Sequence, residues 1–389
     1  MKGGNPMKQK RKKKKSNSMQ YLLMLFMITV GAVCGYYIGP YAQDIINAEK
    51  SMSEILLSVL VLFLGIYMAT LIQIILHEGG HLLFGLMTGY RFSSFRIGSF
   101  MWIKQNGSIQ FKRFSLAGTG GQCLMAPPEM KDGKFPYVLY NMGGSIANLF
   151  ASVLFALISH FTQNSFAVSY FFFIAAAIGV MISLMNAIPL KLDMVNNDGY
   201  NAVSLGKNPE SLRSFWIQIK FGELSTKGIT TRDMPQEWFE MPSPEALKNS
   251  MTAFLSTLAC SQMMAEKEFE KADQAMRELL QMDTAITGLH RSLMTADLIY
   301  CELMGENRPE ALMELLDQKQ KKFMRAMKSL PSIQRTEYAW ALLFENDEQK
   351  ARQIWQAFEK TAKSYPYPGE ISSERELLEC AKVRYQDSL

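Results

Sequence analysis

The chain has 389 residues, of which 48% are hydrophobic and 20% charged, with a formal net charge of +5. That length has room for a membrane core and a separate soluble domain. The five cysteines (Cys34, Cys123, Cys260, Cys301, Cys380) show no C-x-x-C or paired spacing, which argues against a disulfide framework and for a reducing compartment around the last three.

Residues 1–18 carry eight basic residues and no acid. They read as a cytoplasmic tail able to touch anionic lipid. A nucleic-acid arm is the rival reading, set aside because an apolar stretch follows at once. Ser16 to Gln43 is free of charge, so residues 20–40 are expected to form a first transmembrane helix. Gly35-Tyr36-Tyr37-Ile38-Gly39-Pro40 is a poor small-residue cleavage site, which disfavours a signal peptide. The positive-inside rule puts the N-terminus in the cytoplasm and makes residues 41–53 an outer loop.

The second span, about 54–88, returns inward. Twenty-three residues without Asp, Glu, Lys or Arg separate Glu54 from Glu78. The span ends in His77-Glu78-Gly79-Gly80-His81, an H-E-x-x-H motif. On a helix the two histidines lie four residues apart on one face, where both imidazoles can reach one zinc ion and Glu78 can act on a water beside it. Only four histidines occur in the chain, and two are here. The bland alternative is a buried helix with two satisfied histidines, which leaves an acid in an apolar run unexplained. Gly79 and Gly80 cost helix propensity and suggest that another backbone packs closely there.

Between Arg91 and Pro128 lie five basic residues and no acid, as expected on the cytoplasmic side. Alternation around Phe92–Trp102 and Ser108–Phe114, split by Gln105-Asn106-Gly107, predicts a β-hairpin over 91–115. Gly118 to Gly121, followed by Gln122-Cys123-Leu124-Met125, reads as loop-like and apolar, able to form a non-helical edge near the site, sheltered by protein. The hairpin edge either accepts an extended substrate by strand addition or is structural only. Residues 137–159 form the third span, with small residues Gly143-Gly144-Ser145 and a polar Asn148 that needs a partner, either substrate backbone or another helix. His160 at its outer end reads as interfacial. The fourth span, 166–188, closes at Asn186 and Pro189.

Nothing after Tyr200 is long and apolar enough to span. Residues 201–242 read as a helical connector, with a helix start at Asn208-Pro209-Glu210 and another at Ser243-Pro244-Glu245. Residues 243–389 are helical. Ala272, Ala311 and Ala351 recur in similar contexts, 39 and 40 residues apart, each before an apolar stripe. This resembles degenerate tetratricopeptide-type (TPR-like) hairpins, with an irregular bundle as the alternative. His290 in this region reads as ordinary.

Together these residues resemble the site-2 protease family, the intramembrane zinc metalloproteases of M50 type, over about residues 54–200. His77-Glu78-Gly79-Gly80-His81 is similar to the family's zinc motif. Gly144 to Asn148 is similar to its G-x-x-x-N pattern, and Asn186-Ala187-Ile188-Pro189 with a later Asp-Gly to its N-x-x-P…D-G motif. The resemblance implies three core transmembrane helices, a membrane-associated β-hairpin after the first, and a third zinc ligand from the last motif. Two aspartates compete for that role. Leu192-Asp193 has nearly the family spacing but is followed by Met194. Asp198-Gly199 keeps the glycine, comes five residues later, and is favoured, since glycine lets the backbone turn sharply at a metal.

The expected protein is therefore mainly α: a polytopic membrane bundle of about four spans (residues 19–200), a cytoplasmic β-hairpin and a C-terminal TPR-like domain. It is expected in the cell membrane, multi-pass, with both termini cytoplasmic. Its expected function is hydrolysis of peptide bonds in or near transmembrane segments of membrane-protein substrates. His77, His81 and Asp198 (alternatively Asp193) would hold Zn2+, Glu78 would take and return a proton, and Asn148 would hold substrate backbone. The C-terminal domain would bind a cytoplasmic protein partner. Two rival classes are a metal-free membrane scaffold and a metal transporter. The first is disfavoured by the intact motif, the second by the lack of further ligands at mid-depth in the other spans.

Overall fold

The computed structural model describes residues 51–387 except 106, 115–119 and 191–195, together with isolated positions between 24 and 39. The basic tail, most of the first expected span and Asp193 lie outside the described residues. The chain is mainly helical with one small antiparallel sheet.

Helix α1 spans Met52–Met87. Its start is a reciprocal cap: the Ser51 N–H donates to Glu54 Oε2 at 2.8 Å and the Glu54 N–H to Ser51 Oγ at 3.4 Å. Its end is a glycine cap, Gly89 at φ +87°, with the Tyr90 N–H reaching back to the Gly85 carbonyl at 3.0 Å. At 36 residues the helix is about 54 Å long, more than a bilayer core of about 30 Å requires. Helices α2 (Val138–Phe161) and α3 (Phe166–Ala187) follow the sheet. Among the described residues, α1, α2 and α3 are the helices long and apolar enough to cross a membrane. Leu56, Leu60, Phe63 and Tyr67 on α1, and Phe150, Val153 and Leu157 on α2, are exposed large apolar side chains of the kind lipid covers.

The expected two-stranded hairpin is a four-stranded sheet. Strands β1 (Arg91–Ile97), β2 (Phe100–Gln105), β3 (Ser108–Arg113) and β4 (Gly121–Ala126) lie in the order β3-β2-β1-β4, all antiparallel. Two features were hidden in the sequence. Gly98, at φ +57°, reverses the chain inside the stretch that alternation reads as one strand. Gly121 to Ala126, expected as a loop because of its glycine neighbours, pairs with β1 and buries Cys123, Met125 and Ala126.

After α3 come the short α4 (Asp198–Ser204) and α5 (Pro209–Thr226), the latter capped by Asn208 with Pro209 in its first turn, as the sequence predicts. Helix α5 is strapped to the sheet region by Trp216 Nε1 donating to the Pro128 carbonyl at 2.8 Å and by Lys220–Glu129 at 2.7 Å. The expected helix start at Ser243-Pro244-Glu245 makes only a single 3-10 turn, Ala246–Lys248. Asn249 supplies the working cap, accepting from the Met251 N–H at 2.9 Å.

Eight helices follow among the described residues: α6 (Ser250–Ala265), α7 (Phe269–Gln281), α8 (Gly288–Met304), α9 (Pro309–Leu315), α10 (Gln318–Ala326), α11 (Pro331–Leu343), α12 (Glu348–Ser364) and α13 (Pro368–Gln386). Ala272 and Ala351 are buried on α7 and α12, beside Met276, Leu279 and Phe358. In the middle repeat Leu312, not Ala311, takes the core position on the short α9.

The chain divides into two compact units, residues 1–71 with 151–185 and residues 72–150 with 186–389. The first packs Leu62, Ile66 and Ala69 against Phe155, Ile174 and Ala175. The second contains the sheet, the connector and all C-terminal helices. Within it the turn between α12 and α13 lies on the sheet: Gln105 Nε2 donates to the Pro366 carbonyl at 3.1 Å and Lys112 Nζ to the Tyr365 carbonyl at 3.3 Å. Phe114 meets the Tyr365 ring edge-on at 5.6 Å.

The helical core also holds a buried charge cluster. Arg335 lies 2.5 Å from Asp297 and 2.9 Å from Glu374, with its guanidinium over the Tyr300 ring at 4.5 Å. Replacing it by Met leaves two carboxylates without their cation, which costs about 3–5 kcal/mol. Arg335→Met should therefore markedly lower the thermal unfolding midpoint of the full chain in detergent. An unchanged midpoint would contradict this account of the core.

Candidate metal centre

His77 and His81 face the same side of α1, one helical turn apart, with their ring centroids 4.9 Å apart. The third group arrives from α4. Asn197 caps that helix, accepting from the Tyr200 N–H at 3.0 Å, and also accepts from the Leu190 N–H at 3.0 Å and donates to the Ile188 carbonyl at 2.6 Å. These bonds anchor the chain to the end of α3 immediately before Asp198. Gly199 sits against the Ala187 carbonyl with no room for a Cβ. The glycine after the aspartate is thus needed for the approach of α4 to α3, not for a turn around a metal.

The donor atoms form a nearly equilateral triangle. His77 Nε2 and His81 Nε2 are 3.3 Å apart, and each lies 3.3 and 3.4 Å, respectively, from Asp198 Oδ2. Donors about 2.0–2.1 Å from a tetrahedral zinc stand about 3.3–3.4 Å from one another, so the set fits that ion. Burial pushes the Asp198 carboxyl up, but His77 and His81 beside it prevail and hold it below the ordinary carboxylate range. It is an anionic donor. Among the described residues no second group of His, Cys, Asp or Glu converges in this way.

Both rings are held so that Nε2 faces the triangle. His81 Nδ1 lies 2.7 Å from the Tyr140 carbonyl, which can only accept, so a hydrogen is on Nδ1 and the neutral ring carries its lone pair on Nε2. His77 Nδ1 lies 2.6 Å from Asn148 Oδ1. Asn148, expected to hold substrate, is fully buried behind the histidine. A Cβ on Gly144 would stand 2.6 Å from His77 Cε1, so that glycine makes room for the ring. The G-x-x-x-N spacing on α2 therefore serves His77: the glycine admits the ring and the asparagine, one turn on, catches it.

Glu78 points to the sheet. A Cβ on Gly121 would lie 2.8 Å from Glu78 Oε1, and the Cys123 backbone N–H donates to the Glu78 side chain. The first strongly paired residues of β4 thus form one wall beside the carboxylate. Burial, with Glu78 nearby, pushes the Cys123 thiol up, so it stays neutral and is no thiolate ligand. His160 is exposed at the end of α2, and His290 sits between Thr287 and Phe254 in the helical domain; neither joins the cluster. Sequence reasoning missed Asn197 and Tyr140, and placed Gly121 near the site without its contact to Glu78. Their signals were weak, because two act through backbone atoms or a missing side chain.

Gly144→Ala should push the His77 ring aside and lower retention of a divalent metal after dialysis against a chelator by about tenfold or more. Gly79→Ala is the control, since nothing lies within 4 Å of the Cβ it adds. Equal retention by both would contradict the assigned packing.

Residues 52–217 match the family model described as Peptidase M50B-like. No curated protein and no solved structure matches the chain. The matched segment is less than half of the chain, but it starts with α1, ends in α5, and contains every residue of the site just described. Over that segment the chain is similar to the Peptidase M50B-like family.

Proposed function

We propose that the protein is a zinc metalloendopeptidase that cuts peptide bonds in or next to transmembrane segments of membrane-protein substrates, as in regulated intramembrane proteolysis. The observation that carries this reading is the triangle of His77, His81 and Asp198 donors with Glu78 beside it. Zinc, when bound there, supplies the Lewis-acid chemistry that activates water and polarises an amide carbonyl. His77 and His81 contribute Nε2 and Asp198 contributes a carboxylate oxygen, a three-donor set that leaves a fourth position open. Glu78 takes the proton of the attacking water on its carboxylate and passes it to the leaving amine nitrogen.

The amide must reach this site in extended form, because a helix keeps its carbonyls bonded to its own N–H groups. Strand β4 lies at the edge of the sheet and holds Glu78 through the Cys123 N–H. A locally unwound substrate segment laid along that edge comes to the carboxylate, with main-chain hydrogen bonds aligning it. The basic segments 1–18 and 91–113 favour a multi-pass arrangement with both termini in the cytoplasm and the site near the cytoplasmic end of α1. The TPR-like helices α6–α13 then offer a surface for a cytoplasmic partner.

Glu78→Gln should retain zinc and lose cleavage of a membrane-embedded reporter, while His81→Ala should lose both. Metal analysis and a cleavage assay on the same purified samples read the two effects. Full cleavage by the Glu78→Gln protein would remove the mechanism.

A further inference from the structure

Gln73 is fully buried on α1, one turn before His77, in a helix apolar enough to cross a membrane. Its side-chain oxygen and its backbone carbonyl both face Asn148. Asn148 Nδ2 lies 2.8 Å from Gln73 O and 2.7 Å from Gln73 Oε1. A backbone carbonyl can only accept, so the Asn148 amide nitrogen must be the atom on that side. Asn148 Oδ1 is thereby turned to His77, 2.6 Å from Nδ1, and can only accept there.

From this chain of contacts we infer that Gln73 and Asn148 are positioning residues for the metal centre: Gln73 fixes the Asn148 amide, and Asn148 fixes the His77 tautomer. The relay rests on the metal reading above and gives Asn148 a role other than substrate contact. A neutral imidazole carries its hydrogen on either nitrogen. Only the tautomer with the hydrogen on Nδ1 presents the Nε2 lone pair to Asp198 Oδ2 and His81 Nε2. For His81 that choice is made by the backbone carbonyl of Tyr140, which substitution of the Tyr140 side chain leaves in place. For His77 it is made by side chains. Residues 73 and 148 are therefore the positions at which side-chain substitution alters how strongly the first histidine donates.

The test uses the full chain in detergent, with Zn2+ affinity read by chelator competition and ligand geometry by the visible spectrum of the Co2+-substituted protein. Asn148→Leu should weaken Zn2+ binding by about 10–100-fold and alter the Co2+ spectrum. Gln73→Met removes the Oε1 acceptor but leaves the backbone carbonyl, so its loss should be smaller, several-fold. Gln73→Glu keeps an acceptor in place and should bind as the unaltered chain does. Because the two residues act in series, Gln73→Met combined with Asn148→Leu should bind no more weakly than Asn148→Leu alone. Losses that add would overturn the relay. So would Asn148→Leu with unchanged Zn2+ affinity and a raised KM for a reporter, which would return Asn148 to the substrate. Gln73→Met carries the test if Asn148→Leu does not fold: unchanged Zn2+ affinity and Co2+ spectrum in Gln73→Met contradict the proposal. An unaltered chain that binds no Zn2+ would overturn the metal reading and the relay with it.

Discussion

Contact between the backbones of α1 and α2 at Gly80 and Gly143 is the constraint on which the site depends. A Cβ on Gly143 would stand 2.6 Å from the Gly80 carbonyl oxygen, and one on Gly80 would meet the Gly143 backbone. Helices in a bilayer gain nothing from burying apolar surface against each other, so small residues that let backbones touch are what bring them together. Here the touch sets the register of both helices. It places Gly144 over the His77 ring, Asn148 at His77 Nδ1 and the Tyr140 carbonyl at His81 Nδ1. A side chain at either glycine would withdraw all three contacts at once, although none of the three involves position 80 or 143.

The remaining parts are brought to that crossing from further along the chain. Asn197 ties the start of α4 to the end of α3, and Gly199 lets the two approach, so Asp198 completes the donor triangle. The sheet delivers Gly121 and the Cys123 N–H to Glu78. Beneath the sheet, the turn Tyr365-Pro366-Tyr367 of the helical domain accepts bonds from Gln105 and Lys112. Arg96, buried on β1, donates to the Gly98 carbonyl at 2.7 Å and feels both Glu78 and Tyr367 electrostatically. The C-terminal helices therefore share a compact unit with the site instead of hanging from it.

Much of this was legible in the sequence. Charge-free runs marked α1, α2 and α3 to within a few residues, because a lipid-facing helix needs a long unbroken apolar stretch. The i, i+4 histidines were legible because helical geometry fixes which side chains share a face. The glycine after Asp198 was read as a turn at a metal, whereas its place against the Ala187 carbonyl is a matter of packing against the end of α3. Other features left no such mark. Strand β4 was hidden because its buried residues, Cys123, Met125 and Ala126, are neither β-branched nor aromatic. The turn at Gly98 was hidden inside an alternation that continues on both sides of it. Asn148 announced only that it needed a partner. Its partner, Gln73, is close only when the crossing of α1 and α2 is known. The Tyr140 carbonyl carries no side-chain signature.

The central claim is that His77, His81 and Asp198 hold one zinc ion, with Asn148 and Tyr140 behind the histidines. X-ray absorption at the zinc edge of the loaded full-length protein tests it most directly. The account predicts two imidazole nitrogens and at least one oxygen donor at about 2.0–2.2 Å, with no sulfur. A sulfur shell at about 2.3 Å would bring a cysteine into the centre, and a spectrum without imidazole scattering would contradict the assignment outright.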